Sequence, residues 1–180
     1  KDLIRMPQAI TWMLMKWFHE HGNVMVPTKN IREQLISRGI KADVVLFSRG
    51  VDLSILKPTM RHATNARPRL LSVGRVSPEK NLDAFCSLDA MKYDLIVVGD
   101  GPYLSTLKER YPHVEFLGVL KGESLANQYV LADCMVFTSR KDTFGLVIIE
   151  SQSQGTPVAA YPVEGPIDVI LPETGAMHED

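Results

Sequence analysis

Short apolar runs alternate with segments of helical periodicity along most of the chain after Leu70. The apolar runs are four or five residues long, which suits buried strands. The pattern predicts strands over 70–74, 95–99, 114–117, 134–138 and 157–161, and helices over 78–88, 103–110, 124–131 and 146–153. Such alternation is typical of βαβ units, which build a parallel sheet covered by helices on both faces. The pattern therefore predicts an α/β fold with an open parallel sheet.

The first part of the chain carries a shorter form of the same alternation. The pattern there predicts helices over 6–21 and 28–38 and strands over 23–27 and 43–47. Thr28 is a suitable N-cap for the second helix. The segment Lys57–Arg69 combines prolines and arginines with few apolar residues, which is typical of a linker. We therefore expect two domains, residues 1–56 and residues 57–180.

Composition agrees with a globular protein and excludes several other classes. The chain has 180 residues, of which 45% are hydrophobic and 23% charged. These values exclude a disordered tail, and two distant cysteines exclude a disulfide scaffold. No uncharged apolar run approaches the ~18 residues that span a bilayer. We expect Cys86 and Cys134 to be buried, reduced thiols in a reducing compartment.

Charge is distributed unevenly although the net charge is only −1. Residues 1–80 contain 14 Lys and Arg against 6 Asp and Glu, whereas residues 81–180 contain 6 against 15. A basic half can attract phosphates, nucleic acid or an anionic membrane, or it can be a solvated surface. Charge alone leaves these alternatives open.

The first predicted strand of the regular region is followed by two cations at a helix start. Ser77 and Pro78 suit the N-cap and first helical positions, which places Lys80 in the first turn and Arg75 just before it. Cations are disfavoured at the positive end of the helix dipole, so their placement favours a bound anion. The alternative is two exposed charges, one balanced by Glu79.

The loop Gly99–Pro102 is another strand-to-helix turn. Its two glycines permit close backbone approach, but Leu104 stands where the third glycine of a G-x-G-x-x-G motif would be. A simple tight turn is the preferred interpretation over a dinucleotide site.

Two acids eight positions apart mark the last predicted strand–helix junction. Asp142 lies in the loop, and Glu150 lies about one turn into the helix, directly after an apolar run. A carboxylate there is costly unless it has a partner. Gly145 would expose backbone N–H groups at the helix start. The cluster suits the vicinal hydroxyls of a ribose or hexose; the alternative is a partly exposed helix glutamate.

Other motifs are absent from the sequence. There is no H-E-x-x-H or Cys/His cluster, so we expect no metal and no cofactor. Ser139 lies outside any G-x-S-x-G context, which disfavours a hydrolase triad. Trp12, Trp17 and Phe18 follow helical spacing and favour core or interdomain packing over a membrane-docking face.

Taken together, these segments resemble the carboxyl-terminal domain of family 4 glycosyltransferases, a large retaining group with the GT-B fold. The matching strings occur in the family's order over roughly residues 45–172: SRGVDLSILKP, LLSVGRVSPEKNL, LIVVGDGP, VEFLGVL and DTFGLVIIESQSQGTPVAA. The resemblance implies a Rossmann-like donor-binding domain facing an amino-terminal acceptor domain across a cleft. It also implies that the beginning of the chain is a remnant of the amino-terminal domain and that the chain is a piece of a longer protein.

The resemblance assigns roles to the residues of the matching motifs. Arg75 and Lys80 resemble the basic pair that holds the donor diphosphate. Glu150 resembles the acid that binds the ribose hydroxyls, and Asp142 replaces the usual glutamate that contacts the donor sugar. The complete implied donor site comprises Gly74, Arg75, Lys80, Gly118, Val119, Leu120, Asp142, Thr143, Phe144, Gly145, Leu146 and Glu150. Of these, Arg75, Lys80 and Asp142 are the expected catalytic residues.

The implied function is transfer of a hexose, with retention, from a nucleoside diphosphate sugar to a hydroxyl of a lipid or glycan. The alternatives are another GT-B activity (a phosphorylase or an epimerase) and a non-catalytic nucleotide-sugar binding module. We expect no nucleic-acid partner, a cytoplasmic location with peripheral contact to the inner face of a membrane, and no transfer by this chain alone. We expect the apolar face of the first helix either to fold back on the donor-binding domain or to be buried against a second copy of the chain, in a homodimer.

Overall fold

The computed structural model describes residues 8–20, 22–57, 66–142 and 144–179. The chain divides into two compact units, Lys1–Arg49 and Gly50–Asp180. The division falls earlier than the expected domain boundary after residue 56. The physical reason is that Leu56, 8% exposed, is buried in the core of the second unit, with Val51 packed against that core.

The first unit contains two helices and a pair of parallel strands. Its elements are α1 (Gln8–His19), β1 (Asn23–Val26), α2 (Lys29–Ser37) and β2 (Asp43–Leu46). Thr28 caps α2, because its Oγ1 accepts a hydrogen bond of 3.3 Å from the backbone N–H of Ile31. Val26, Ile40 and Val44 form a small core.

The aromatic residues of α1 separate into two groups. Trp12 packs against the small core of the first unit, and its indole N–H donates to the carbonyl of Arg38. Trp17 and Phe18 are 71% and 75% exposed, so core packing is wrong for these two side chains. Among the described helices, none is both long enough and apolar enough to span a bilayer.

The second unit is built on a six-stranded parallel sheet. Its strands are β3 (Arg69–Val73), β4 (Asp94–Val98), β5 (Glu115–Gly118), β6 (Cys134–Phe137), β7 (Val158–Ala160) and β8 (Gly175–Met177). They lie in the order β5-β4-β3-β6-β7-β8, and each neighbouring pair is parallel. This order confirms the expected Rossmann-like α/β fold.

Helices and one 3₁₀ turn connect the strands. They are the 3₁₀ turn Pro78–Lys80, α3 (Leu82–Cys86), α4 (Leu104–Arg110), α5 (Gly122–Leu131), α6 (Leu146–Ser153) and α7 (Pro166–Val169). The single helix predicted over 78–88 is therefore interrupted, because Asn81 adopts a left-handed conformation with φ of 53°. The sequence pattern did not reveal α7 and β8, whose few residues carry no clear period.

The core of the second unit covers both faces of the sheet. One cluster includes Leu71, Ile96 and Met135, and the other includes Val97, Phe85 and Leu107. Strands buried on both faces explain the nearly continuous apolar runs. The strand order reverses between β3 and β6, and at this point the loops after adjacent strands diverge and leave a crevice.

Candidate functional site

A cavity of about 280 Å³ opens at the carboxyl ends of β3 and β6. This is the switch point of the sheet, where open α/β folds bind their ligands. The cavity is lined by Ser72, Val73, Gly74, Arg75, Lys80, Leu82, Val97, Phe137, Thr138, Ser139, Asp142, Gly145, Leu146 and Val147. Its walls therefore come from the two strand ends, the turn after β3 and the start of α6.

The loops after β3 and β4 pack closely against each other. The N–H of Val76 donates to the carbonyl of Asp100 at 2.9 Å. A Cβ at Gly99 would lie 1.8 Å from the carbonyl oxygen of Gly74, and one at Gly101 would lie 2.2 Å from that of Val76. The glycines of this turn are required by loop packing, which supports the tight-turn interpretation.

Lys80 is held inside the cavity by an ion pair and by its backbone. Its Nζ lies 2.8 Å from Oδ2 of Asp142, and the two side chains are 27% and 17% exposed. The Lys80 carbonyl accepts a 2.9 Å hydrogen bond from the hydroxyl of Thr138, at the end of β6. The ammonium group therefore has a fixed place between the turn after β3 and the loop after β6.

Asp142 joins Lys80 to the start of α6. Its second oxygen, Oδ1, accepts hydrogen bonds from the backbone N–H groups of Phe144 (3.1 Å) and Gly145 (2.9 Å). Burial raises the pKa of Asp142, but these bonds and the Lys80 ammonium outweigh burial, so the pKa lies below its ordinary value. The carboxylate is ionised and organises this end of the cavity.

Arg75 lies at the rim of the cavity and pairs with Glu79. Its side chain is 67% exposed. The pKa of Glu79 is lowered to about 2, first by the neighbouring Ser77 side chain and then by its own backbone N–H and by Arg75. Both cations at this helix start thus have carboxylate partners, and the three-residue 3₁₀ turn has little dipole to oppose them.

Glu150 finds its partner in a neighbouring helix. Its Oε2 accepts a 2.7 Å hydrogen bond from the hydroxyl of Tyr129 in α5. Tyr129 is fully buried, and its pKa is raised by burial and then by the charge and hydrogen bond of Glu150. The hydrogen bond from Tyr129 offsets part of the desolvation free energy that a carboxylate after an apolar run was expected to cost.

The cavity brings together half of the expected donor-site residues. Gly74, Arg75, Lys80, Asp142, Gly145 and Leu146 line it. Five other expected donor-site residues that the structure describes do not line the cavity: Gly118, Val119, Leu120, Phe144 and Glu150. Thr143 lies outside the described residues.

The expected residues outside the cavity lie in distinct places. Gly118 ends β5, which is separated from β3 by β4, so the segment 118–120 follows a strand away from the switch point. Phe144 is 8% exposed, and a Cβ at Gly165 would lie 3.2 Å from its backbone nitrogen.

Several lining residues were not predicted from the sequence. Ser72, Val73, Phe137 and Thr138 stand at strand ends, and this position was the available signal. Tyr129 carried no such signal, because an aromatic residue inside a helix suggests ordinary core packing.

A wider cleft borders Asp142 on another side. It measures about 580 Å³ and is lined by Arg140, Lys141, Asp142, Val163 and Glu164. The guanidinium of Arg140 lies 3.8 Å from the ring centre of Tyr161, which restricts its position. Asp142 therefore lines both the cavity and this cleft.

The remaining candidate chemistry is limited. Within the described ranges, no group of three or more His, Cys, Asp or Glu side chains is placed to hold a metal ion. Cys86 and Cys134 are free thiols; Cys86 is buried as expected, whereas Cys134 is only partly buried because it begins β6. Burial, with a smaller contribution from Asp83, raises the pKa of Cys86 to about 12.

Comparison of the sequence with known protein families identifies the family to which this fold and cavity belong. The family described as glycosyl transferases group 1 matches residues 60–178, which include every residue lining the cavity. The chain belongs to this family. The expected resemblance to the carboxyl-terminal domain of a GT-B glycosyltransferase is thereby confirmed.

Curated relatives cover nearly the whole chain. A GDP-mannose-dependent alpha-mannosyltransferase of Mycobacterium tuberculosis is 31% identical over an alignment of 184 positions, which covers 97% of this chain and 48% of that protein. The chain spans less than half the length of each of three curated relatives. It covers 48% of this mannosyltransferase, 34% of the sulfoquinovosyl transferase SQD2 of Arabidopsis thaliana and 42% of the alpha-monoglucosyldiacylglycerol synthase of Streptococcus pneumoniae.

Solved structures share the fold at similar coverage. Sucrose-phosphate synthase from Thermosynechococcus elongatus superposes with a TM-score of 0.79 at 26% identity, over 97% of this chain and 50% of that one. HepE of Anabaena, solved in complex with UDP and glucose, superposes with a TM-score of 0.76 at 19% identity, over 96% of this chain and 54% of that one. At this identity the likeness to HepE shows a shared fold only.

Proposed function

We propose that this chain is the donor-binding part of a retaining glycosyltransferase that moves a hexose from a nucleoside diphosphate sugar to a hydroxyl acceptor. The observation that carries the proposal is the cavity at the β3–β6 switch point, lined by Lys80, Arg75 and the start of α6. Its location suits a ligand, and its charge suits a diphosphate.

The cations of the cavity supply the phosphate chemistry. An ammonium group has three donors, and Asp142 uses one from Lys80, so two remain for phosphate oxygens. Arg75 at the rim can reach the same anion by exchanging Glu79 for phosphate. These groups stabilise the charge that develops on the leaving diphosphate.

The cavity and the neighbouring cleft suggest where the other parts of the nucleotide sugar would bind. With the diphosphate beside Lys80, the hexose extends past Asp142 toward the cleft that Arg140 and Glu164 line. Glu150 holds the ribose hydroxyls, and the segment 118–120 lies against the base. The name of the mannosyltransferase relative supports a nucleoside diphosphate hexose as donor, as does the ligand set of HepE.

The proposed acceptor is a lipid or a glycan, met at the inner face of a membrane. The exposed apolar residues of α1, namely Met13, Trp17 and Phe18, support either peripheral membrane contact or a homodimer of this chain. Transfer needs donor and acceptor held together in reactive geometry. Since relatives are at least twice as long, we expect this chain alone to bind donor without transferring sugar.

Calorimetric titration with UDP, GDP and ADP, and with their hexose conjugates, tests the proposal. We expect one diphosphate and its conjugate to bind, with and without EDTA, because no metal is required for the cations to hold the anion. A Lys80→Ala chain is the matched variant and should bind more weakly. Failure of every diphosphate to bind the folded wild-type chain would refute the proposed function.

A further inference from the structure

Tyr129 is a buried tyrosine with no role in the mechanism proposed above. Its side chain is 0% exposed and packs with Leu71, Met135 and Ile148 in the core. The hydroxyl is the exception to these apolar surroundings, since it donates to Oε2 of Glu150 at 2.7 Å. A buried core ring thus ends on the carboxylate that is the proposed ribose ligand.

Tyr129 is also fixed through its backbone. Its carbonyl accepts a 2.6 Å hydrogen bond from the hydroxyl of Thr156, which is 3% exposed. The N–H of Thr156 in turn donates to the carbonyl of Ser151 at 3.1 Å. Tyr129 is therefore tied to the end of α6 as well as to Glu150, and its hydroxyl is a rigid anchor between α5 and α6.

The helical period places Glu150 on the cavity side of α6. Leu146 and Val147 line the cavity, and Glu150 follows them by four and three residues, so the three share one side of the helix. Ile148 and Ser151 are 0% exposed and face the core. Glu150 therefore lies one turn further along α6 than Leu146 and Val147, on the same side of the helix.

A glutamate side chain in this place needs an anchor if it is to bind a ligand with little entropic cost. Fixing its rotatable bonds removes conformational freedom that binding would otherwise have to offset. The tyrosine hydroxyl fixes Oε2. Among the described residues, none donates a hydrogen bond to the other oxygen, Oε1, which remains able to accept from a ligand.

We propose that Tyr129 is a positioning residue that holds Oε2 of Glu150 and presents Oε1 to the ribose hydroxyls of a nucleoside diphosphate. The inference rests on the proposed function, because it assumes that a nucleotide occupies the cavity. It assigns Tyr129 a part in nucleoside recognition in addition to its part in the core.

The test compares nucleoside diphosphates with analogues that lack the ribose hydroxyls. UDP, GDP, ADP and their 2′,3′-dideoxy forms are titrated into the wild-type, Tyr129→Phe and Glu150→Gln chains. We expect the wild-type chain to prefer the ribose form of its diphosphate by about tenfold, the effect of one charged hydrogen bond. Both variants should lose most of this preference while binding the dideoxy form as the wild type does.

Tyr111→Phe is the matched control. The Tyr111 hydroxyl also donates to a carboxylate, Oδ1 of Asp83, at 3.1 Å, and neither residue lines the cavity. Its removal should leave the ribose preference unchanged. Thermal unfolding of each variant separates lost stability from lost recognition, and titrations are run well below the unfolding midpoint.

The outcomes separate the inference from the proposed function. If Glu150→Gln loses the ribose preference and Tyr129→Phe keeps it, Tyr129 only supports the fold and the inference is overturned. If Glu150→Gln keeps the preference, Glu150 does not bind ribose and the inference fails with that assignment. If the wild-type chain binds no diphosphate, the proposed function itself fails.

A measurement on the wild-type chain covers the case in which the phenylalanine variant does not fold. With ¹³C at the ζ carbon of tyrosine, the Tyr129 resonance reports the state of its hydroxyl bond. The nucleoside diphosphate with its ribose hydroxyls should shift this resonance, and its 2′,3′-dideoxy form should not. Equal shifts with both ligands would overturn the inference.

Discussion

At the scale of single residues, the Lys80–Asp142 ion pair determines where the cavity presents a positive charge to an anion. It fixes the ammonium group, at 2.8 Å from Oδ2 of Asp142, before any ligand arrives. A cation held in place loses less entropy on binding than a mobile one. Because Asp142 also accepts from the N–H groups of Phe144 and Gly145, the same carboxylate orders the start of α6.

Lys80→Ala should weaken diphosphate binding by about 1.5–3 kcal/mol, the contribution of a hydrogen bond to a charged group. Arg75→Ala should have a smaller effect, because Arg75 is 67% exposed and solvent screens its charge. Titration calorimetry measures both. Lys92→Ala is the control, since Lys92 pairs with Asp89 on the surface, and its affinity should equal that of the wild type.

Part of the Lys80→Ala effect arises from leaving the Asp142 carboxylate unpaired beside the anion. The double variant Lys80→Ala, Asp142→Asn removes this repulsion and should recover part of the affinity. Wild-type affinity in Lys80→Ala itself would show that the diphosphate does not bind beside Lys80.

Asp142→Asn should destabilise the fold at neutral pH by about 1–2 kcal/mol. The pKa of Asp142 is lower in the folded chain than its ordinary 3.8, so the ionised group stabilises the fold above that pH. This contribution is lost as the pH falls through the lowered pKa. Urea unfolding should therefore show a difference from wild type at pH 7 that narrows in acid below about pH 4.

Asp89→Asn provides the comparison for this pH series, because Asp89 is an exposed partner of Lys92. Its stability should follow that of the wild type at both ends of the range. A difference for Asp142→Asn that stays constant from neutral to acidic pH would mean that the charge of Asp142 does not contribute.

Single residues were predictable where their chemistry depends on position along a strand. Arg75, Lys80 and Asp142 follow strand ends, and the parallel sheet brings those ends to one edge. The pairing of Lys80 with Asp142 was not predictable, since the two are 62 residues apart and only the β3–β6 adjacency joins them. Tyr129 was missed for the same reason, because its partner lies on another helix.

At the scale of elements, the cavity depends on two loops that pack with almost no space between them. The turn after β4 presses Gly99 and Gly101 against the backbone of the turn after β3, at Gly74 and Val76. The position of Arg75 is set by this contact, because Arg75 lies between those two residues.

Gly99→Ala should destabilise the second unit by roughly 3 kcal/mol, because its Cβ would lie 1.8 Å from the Gly74 carbonyl oxygen at a φ of +141°. Gly155→Ala is the matched control. Gly155 has φ of +75° and open space around it, so only the conformational cost of about 1–2 kcal/mol remains.

Chemical denaturation of the two glycine variants gives the comparison, and diphosphate titration shows whether the displaced loop moves Arg75. Equal stabilities for Gly99→Ala and Gly155→Ala would mean that the loop contact is easily relaxed.

Most elements of the second unit followed from the apolar pattern, because strands buried on both faces leave a strong signal. The exceptions have physical causes. The helix predicted over 78–88 breaks at Asn81, which adopts a left-handed conformation that the pattern does not encode. α7 and β8 have four and three residues, too few to show a period.

At the scale of the whole molecule, the site belongs to one unit. Every residue that lines the cavity lies between Ser72 and Val147, within Gly50–Asp180. The core clusters of that unit also draw their buried residues from it alone, beginning with Leu56. The strand order and the switch point are properties of this unit, and a sequence pattern of strands and helices predicts the layers but not the order.

A chain of residues 50–180 should therefore fold and bind diphosphates with the affinity of the 180-residue chain. Its sheet, its two core clusters and its cavity are complete without the first unit. Circular dichroism and cooperative urea unfolding establish folding, and calorimetry compares the affinities, with Lys80→Ala in the shorter chain as the control for specific binding. A shorter chain that unfolds cooperatively yet binds much more weakly would show that residues 1–49 contribute to the site.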